Sequence, residues 1–229
     1  MINLGLAVYH ICFPWFQTSL NLINLLKHFR IFVTNLYPPA SNHYMMRNND
    51  KELVERVISG NTRDFALLVD KYKDLAFTVA FRVVNNREDA EEVAQDAFVK
   101  AYTGLRNFRN QSLFSTWLFR IVYNTAVSKK RLKKIEYRSL DDVHNYAVIK
   151  DSPQESENMN IETILLEQAM QQLPEDERTM ITLYYMNESN IDEIHQITGL
   201  SKSNVKVKLF RARKKLQELL IPIKDRIMV

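Results

Sequence analysis

The sequence predicts an all-α fold: two small helical domains joined by a flexible acidic linker. Three observations lead to it. Only four glycines and six prolines occur in 229 residues, and no convincing run alternates apolar and polar side chains as a half-buried strand does. Beyond Asn48, apolar residues recur instead at spacings of three and four, which puts them on one face of a helix. Between about Ile135 and Asn160 this pattern gives way to a polar stretch with Asp141, Asp142, Asp151, Glu155, Glu157 and Pro153, the composition of a tether.

The elements follow in order. Residues 1–45 stand apart, because no charged side chain occurs from Met1 to Leu26. No basic region precedes the apolar run, as a secretory signal requires. Asn3, His10, Pro14, Gln17, Asn21 and Asn24 interrupt it short of the roughly 20 apolar residues that a bilayer needs. We expect Met45 or Met46 to be the natural start and residues 1–45 to be an over-extended leader. The alternatives are a weak membrane anchor, with Lys27, His28 and Arg30 on the cytoplasmic side, and a tail packed on the body. A short helix from Asp50 to Ile58 is closed by Gly60. Thr62 is placed to cap a long helix through Val84, with Phe65, Leu68, Tyr72, Leu75, Ala76 and Val79 inward and Asn85-Asn86 as the stop. A third helix, Arg87 to about Leu105, buries Ala90, Val93, Ala94, Ala97, Ala101 and Leu105 and presents Glu88, Glu92, Gln95 and Asp96 on its other face. The fourth, Ser115 to Leu132, carries Trp117, Phe119, Arg120, Tyr123 and Asn124 ahead of the basic block Lys129, Lys130, Arg131, Lys133 and Lys134. Aromatics beside cations suit single-stranded nucleic acid, although Trp117 is expected in the core first. A second unit starts near Ile161, breaks at Pro174 and resumes from Glu175 to Met186.

The segment Ile191 to Leu216 then reads as two helices joined at Gly199, the second strongly basic: a helix-turn-helix. In the second helix Val205, Leu209, Ala212, Leu216 and Leu219 form the inward stripe, and Ser201 is positioned as its N-cap. Ser203, Val207, Arg211 and Lys214 fall on the opposite side, with Asn204 and Phe210 beside them. In such a motif the first residues of the second helix meet base edges and flanking cations hold the backbone. Lys202, Ser203, Asn204, Val207 and Arg211 are accordingly assigned to base edges, and Lys206, Lys208 and Arg213 to phosphates. The plainer alternative is a solvated basic helix.

Composition excludes several classes. Net charge is only +4, but its clustering into two basic surfaces points to nucleic acid. The single cysteine, Cys12, leaves neither an internal disulfide nor a cysteine zinc cluster. Histidines show no metal spacing, and no phosphate-cradling glycine loop or nucleophile-base pair is visible. Neither a cofactor nor a small-molecule substrate is expected, and the chain is not expected to be an enzyme.

From about Asp50 to Leu220 the chain resembles a bacterial RNA polymerase sigma factor of the extracytoplasmic-function group. The resemblance rests on REDAEEVAQDAFVKAY, FRNQSLFSTWLFRIVYN, LPEDERTMITLYYM and GLSKSNVKVKLFRARKKL, in the family's order and spacing. It implies a sigma region-two domain at 48–134, the linker at 135–160 and a sigma region-four domain at 161–221. It also implies that Glu92, Gln95 and Asp96 bind core RNA polymerase. The loop Asn107, Phe108, Arg109, Asn110, Gln111 and Ser112 would capture an unpaired base of the minus-ten element, with Arg120, Asn124, Lys129, Lys130 and Arg131 on adjacent duplex. The terminal helix would read the minus-thirty-five element. In similar proteins the linker threads the polymerase near the RNA path. Promoter DNA, core polymerase and an anti-sigma factor are the implied partners. The implied location is cytoplasmic, with retention at the inner membrane through a membrane-bound anti-sigma factor.

The sequence departs from the family pattern at His195, where a small residue is usual, so looser packing of the two helices is expected there. Asn204, Val207 and Lys208 also depart from it, so the promoter sequence does not carry over. Two other classes are weighed against this reading. A two-domain transcriptional regulator would need an effector or phosphoacceptor pocket in its first domain, and none is evident. A metal-dependent nuclease could use Asp89, Glu92 and Asp96, but their spacing spreads them around a helix.

Overall fold

The computed structural model describes residues 43–140 and 161–227, with side chains over 50–135 and 164–220. The leader through residue 42 and the acidic segment 141–160 lie outside the described residues. Eight α-helices occur among those described, and they form two four-helix units.

Helix α1, His43–Ile58, begins earlier than its predicted start at Asp50 and runs through Met45 and Met46. Leu53, Val54 and Val57 are its buried stripe. Gly60, at φ 115°, makes the turn that a side chain would strain. Helix α2, Asp64–Val84, starts two residues after the predicted cap: Arg63 occupies the N-cap position without a side-chain bond, and Thr62 does not cap. The start is set by the preceding turn, in which Asp64 N–H donates to the Asn61 carbonyl at 3.1 Å. The Arg56–Asp64 ion pair at 2.7 Å then ties α1 to α2. Asp50 is almost fully buried, and its carboxylate accepts from both Lys71 Nζ and the Tyr72 hydroxyl.

Asn85 ends α2 in the left-handed conformation at φ 54°, which asparagine tolerates better than most residues. Asn86 turns outward, and its side-chain oxygen accepts from Asp89 N–H at 2.9 Å, capping α3, Arg87–Gly104. The two adjacent asparagines thus end one helix and begin the next. A 3-10 turn over Leu105–Asn107 leads through a loop to α4, Phe114–Leu140. This helix continues past the predicted end at Leu132, into what composition alone marks as linker. Tyr72, Phe114, Phe119, Leu118, Val122 and Ala126 close the core of the first unit.

In the second unit α5, Ile161–Gln171, is followed by Pro174 as the N-cap of α6, Glu175–Tyr185. Three carboxylates, Glu175, Asp176 and Glu177, occupy the first turn of α6, where the helix dipole favours negative charge. Helix α7, Ile191–Thr198, opens with a capping box: the Asn190 side chain accepts from Asp192 and Glu193 N–H, and Glu193 accepts from Asn190 N–H. Asn190→Ala is expected to lower the stability of this unit by about 1 kcal/mol, read as a shift in the urea midpoint with an unchanged slope. Helix α8, Lys202–Ile227, packs on α6 and α7 through Val205, Leu209, Ala212 and Leu216.

The two units do not simply hang on a tether. Helix α2 packs against α6 and α4 against α7, so the buried side chains of both join in one core.

Candidate nucleic-acid interface

The helix-turn-helix is formed by α7, the turn at Gly199 and α8. Gly199 sits at φ 74° and donates to the His195 carbonyl at 2.9 Å. His195 is accommodated by a bond of its own: Nδ1 lies 2.6 Å from the Leu200 carbonyl, so it carries the proton and donates across the turn. The large residue therefore bridges the turn, in contrast to the looser packing expected of it. Asn204 N–H donates to Ser201 Oγ at 3.3 Å, which places Ser201 as the cap of α8.

Lys202, Ser203, Asn204, Lys206, Val207, Phe210, Arg211 and Lys214 are all exposed on α8. Val207 and Phe210 are 45% and 54% exposed, an apolar pair between cations at the centre of that face. Lys202 pairs with Asp192 at 2.8 Å, and its hydrogen bond is the main reason the Asp192 carboxyl is held below its ordinary value. Lys208 and Arg213, assigned by sequence to phosphates, are turned toward α6 instead. Lys208 donates to Asp176. Burial pushes the Asp176 carboxyl up, but Lys208's hydrogen bond and charge outweigh it and hold the group below its ordinary value. This contact therefore contributes fully at neutral pH and is lost on acidification through the depressed folded value. Arg213 donates from Nε to the Tyr185 hydroxyl at 3.0 Å and lies 4.7 Å over the Tyr184 ring.

On the first unit, Asn107, Arg109, Asn110 and Gln111 are exposed and Ser112 is half-buried, with Asn110 in the left-handed region at φ 53°. Phe108 is the exception. It is buried, with ring centroids 5.1 Å from Trp117 and 6.1 Å from Phe114, so it anchors the loop and cannot meet a base from this position. Trp117, half-buried against Phe108, Phe114 and Gly104, serves the core as well. Arg120, Asn124, Lys130 and Arg131 are exposed along α4, and Lys129 is half-buried beside them.

Glu92, Gln95 and Asp96 are exposed together on α3, with Val99 continuing the same face at 65% exposure. This acidic face and the basic block of α4 meet: Lys129 donates to both Glu92 carboxylate oxygens at 2.6 Å, which raises the Lys129 pKa. Lys133 is likewise paired with Asp89.

The sequence reading missed a charged cluster between the units. Arg82 of α2 donates in a bidentate arrangement to Glu167 of α5, one bond at 2.7 Å. Arg178 of α6 donates to Asn85 Oδ1 at 3.2 Å and to the carbonyls of Gln171 and Leu173. Lys130 of α4 pairs with Glu175 of α6. One signal was available: Arg82 lies three residues after Val79 on the inward stripe of α2, where an arginine needs a buried partner.

Comparison with known proteins gives these surfaces their family. Residues 68–134 match the model of Sigma-70 region 2, and residues 163–216 match that of Sigma-70, region 4. The RNA polymerase sigma-H factor of Pseudomonas aeruginosa is 35% identical over 188 residues, covering 78% of this chain and 97% of that protein. The ECF RNA polymerase sigma factor SigW of Bacillus subtilis is 31% identical, covering 74% of this chain and 96% of the relative. Among solved structures, RpoE from Bartonella quintana in complex with the anti-sigma factor NepR is similar at 25% identity and a TM-score of 0.60, over 69% of this chain and 97% of that one. CnrH in complex with the cytosolic domain of CnrY is similar at 26% identity and a TM-score of 0.53, over 75% and 96% of the two chains. The two helical units, the exposed basic helix-turn-helix and these matches agree: the chain belongs to the extracytoplasmic-function group of RNA polymerase sigma factors and is a promoter-recognising subunit of transcription initiation.

Proposed function

We propose that the chain is a dissociable, non-catalytic specificity subunit that docks on core RNA polymerase through Glu92, Gln95 and Asp96. It reads the minus-thirty-five element with the outward face of α8. It captures minus-ten bases with Asn107 and Arg109 to Ser112, while Arg120, Asn124, Lys129, Lys130 and Arg131 hold adjacent duplex. The observation that carries this reading is the exposure, on one chain, of an acidic helix face, a polar loop and a basic recognition helix on separate surfaces. Opening DNA costs about 1.4 kcal/mol per base-pair step. With Phe108 buried, capture of unpaired bases rests on hydrogen bonds from Asn107, Asn110, Gln111 and Ser112 and on stacking against the Arg109 guanidinium; melting on this reading is binding, and no chemical step is required of the protein.

The base-edge set on α8 is Lys202, Ser203, Asn204, Val207 and Arg211, with Lys206 on phosphate. Lys208 and Arg213 reach phosphate after leaving Asp176 and Tyr185. We place the protein in the cytoplasm, where its polymerase and promoter are. Among the described residues no helix is long and apolar enough to cross a membrane. An anti-sigma factor is a further partner by analogy with the RpoE–NepR complex.

Core-dependent abortive initiation on a promoter library tests the proposal. Short transcripts should require both this chain and core polymerase, and their templates should share two spaced elements. Transcript formation indifferent to the chain would overturn it. On a duplex carrying the selected upstream element, Arg211→Ala should weaken binding by about 1 to 3 kcal/mol and relax preference at one position. Lys206→Ala should weaken all sequences alike and lower the salt slope by about 1.

A further inference from the structure

We infer that Val207, with Phe210 beside it, reads thymine in the upstream promoter element through the C5-methyl group of the base. The inference rests on the promoter reading above and names the base chemistry that this part of α8 takes.

Neither side chain serves the fold. The buried stripe of α8 is Val205, Leu209, Ala212 and Leu216. Val207 stands two residues from both Val205 and Leu209, about 200° round the helix from each, and so points away from the body. Phe210 follows about 60° further round and about 4.5 Å along the axis. At 45% and 54% exposure the two are the large apolar groups of this face, and neither is among the side chains packed against the core. An exposed β-branched residue also weakens a helix slightly, so Val207 contributes little to the free protein.

The surroundings determine what such a pair can recognise. Lys206 and Arg211 are exposed next to it, and Ser203 and Asn204 lie one turn before. The cations bring this face against phosphates, which carries the apolar pair into the major groove. There the base edges present donors and acceptors, and the thymine C5-methyl is the apolar group among them. A valine or phenyl side chain against that methyl removes apolar surface from water on both sides. Against a purine N7 or a cytosine amino group, the same side chain strips water from a polar atom and returns no hydrogen bond, which is penalised. Selection thus acts twice, for thymine and against other bases. The step of about 4.5 Å from Val207 to Phe210 is close to the roughly 3.4 Å between successive bases of a strand, so two neighbouring base pairs come within reach. Val207 is one of the positions at which the sequence departs from its family's pattern, so the preference belongs to this chain.

The test uses the full chain assembled with core polymerase. The upstream element is first selected by core-dependent initiation on a promoter library. Each of its thymines is then replaced singly by deoxyuridine, which keeps the base pair and the O4 acceptor and lacks only the methyl group. Promoter affinity of the holoenzyme should fall about three- to tenfold at one thymine or at two adjacent ones, the size expected when a buried methyl contact is removed. This series needs no altered protein, so it is independent of folding. With Val207→Ser the same deoxyuridine step should cost less than about twofold, because the methyl no longer meets an apolar partner. Phe210→Ala should reduce that step or remove one at the neighbouring thymine. An upstream element without thymine, a deoxyuridine series flat throughout, or a methyl effect that survives Val207→Ser overturns the inference and leaves the sigma reading in place. A loss of core affinity in Val207→Ser without DNA overturns it as well, by assigning the pair to the polymerase. Transcripts that do not depend on the chain defeat both readings, and that result precedes any deoxyuridine measurement.

Discussion

Glu92→Lys with Asp96→Lys is expected to abolish core-dependent initiation while leaving binding of the upstream element intact. Both carboxylates are exposed on α3, and reversing charges at an electrostatic docking surface costs several kcal/mol, because attraction is replaced by repulsion. At about 1.4 kcal/mol per tenfold, a loss of two to five kcal/mol is roughly a thirty- to several-thousand-fold drop in affinity for core polymerase. Glu92 also holds Lys129, so Glu92→Lys disturbs the first unit itself. Asp96→Lys alone is the cleaner reading of the docking surface and should account for at least a tenfold loss. Core association is measured by fluorescence anisotropy and DNA binding by mobility shift on the same preparations. Retained core affinity in the double variant would return the acidic face of α3 to simple solvation.

Phe119→Ala should remove about 3 to 5 kcal/mol from the first unit. Phe119 is fully buried and meets the Tyr72 ring edge-on with centroids 5.9 Å apart, and Tyr72 in turn bonds the buried Asp50. Truncation leaves a cavity among aromatic rings that the surrounding helices fill only in part. Small domains are stable by only about 5 to 15 kcal/mol, so a large share of the unit's stability is at stake. Urea unfolding followed by Trp117 fluorescence should show the loss, with α8 still binding its duplex. Arg120→Ala, one residue on but exposed, is the contrast: stability within about 0.5 kcal/mol of the parent and weaker binding of minus-ten DNA. A Phe119→Ala loss below 1 kcal/mol would mean that the core collapses readily around the missing ring.

Local features were legible because they are written in neighbouring residues. The inward stripe of α3 lies where its spacing puts it, and every residue assigned to it is buried. Helix α7 runs from Ile191 to the turn at Gly199, as its spacing and that glycine predict, and the structure adds Asn190 as its cap. The boundaries that moved did so for local reasons that composition does not express: backbone bonds in the turn after Gly60 start α2 with no side-chain cap from Thr62, and α4 keeps its backbone bonds through the basic block to Leu140.

By itself, then, the sequence determined the helical class, the helix-turn-helix, the exposed acidic and basic faces and the family, because each depends on periodicity, capping or motif within a few tens of residues. Only the tertiary structure decided that Phe108 anchors the loop from inside, that Lys208 and Arg213 turn toward α6, and that His195 bridges the turn through Leu200. It also decided that the two units close on each other. Arg82 and Glu167 stand 85 residues apart and Asn85 and Arg178 stand 93 apart. No spacing rule links such partners: which charge meets which depends on how two separately folded faces come together in space.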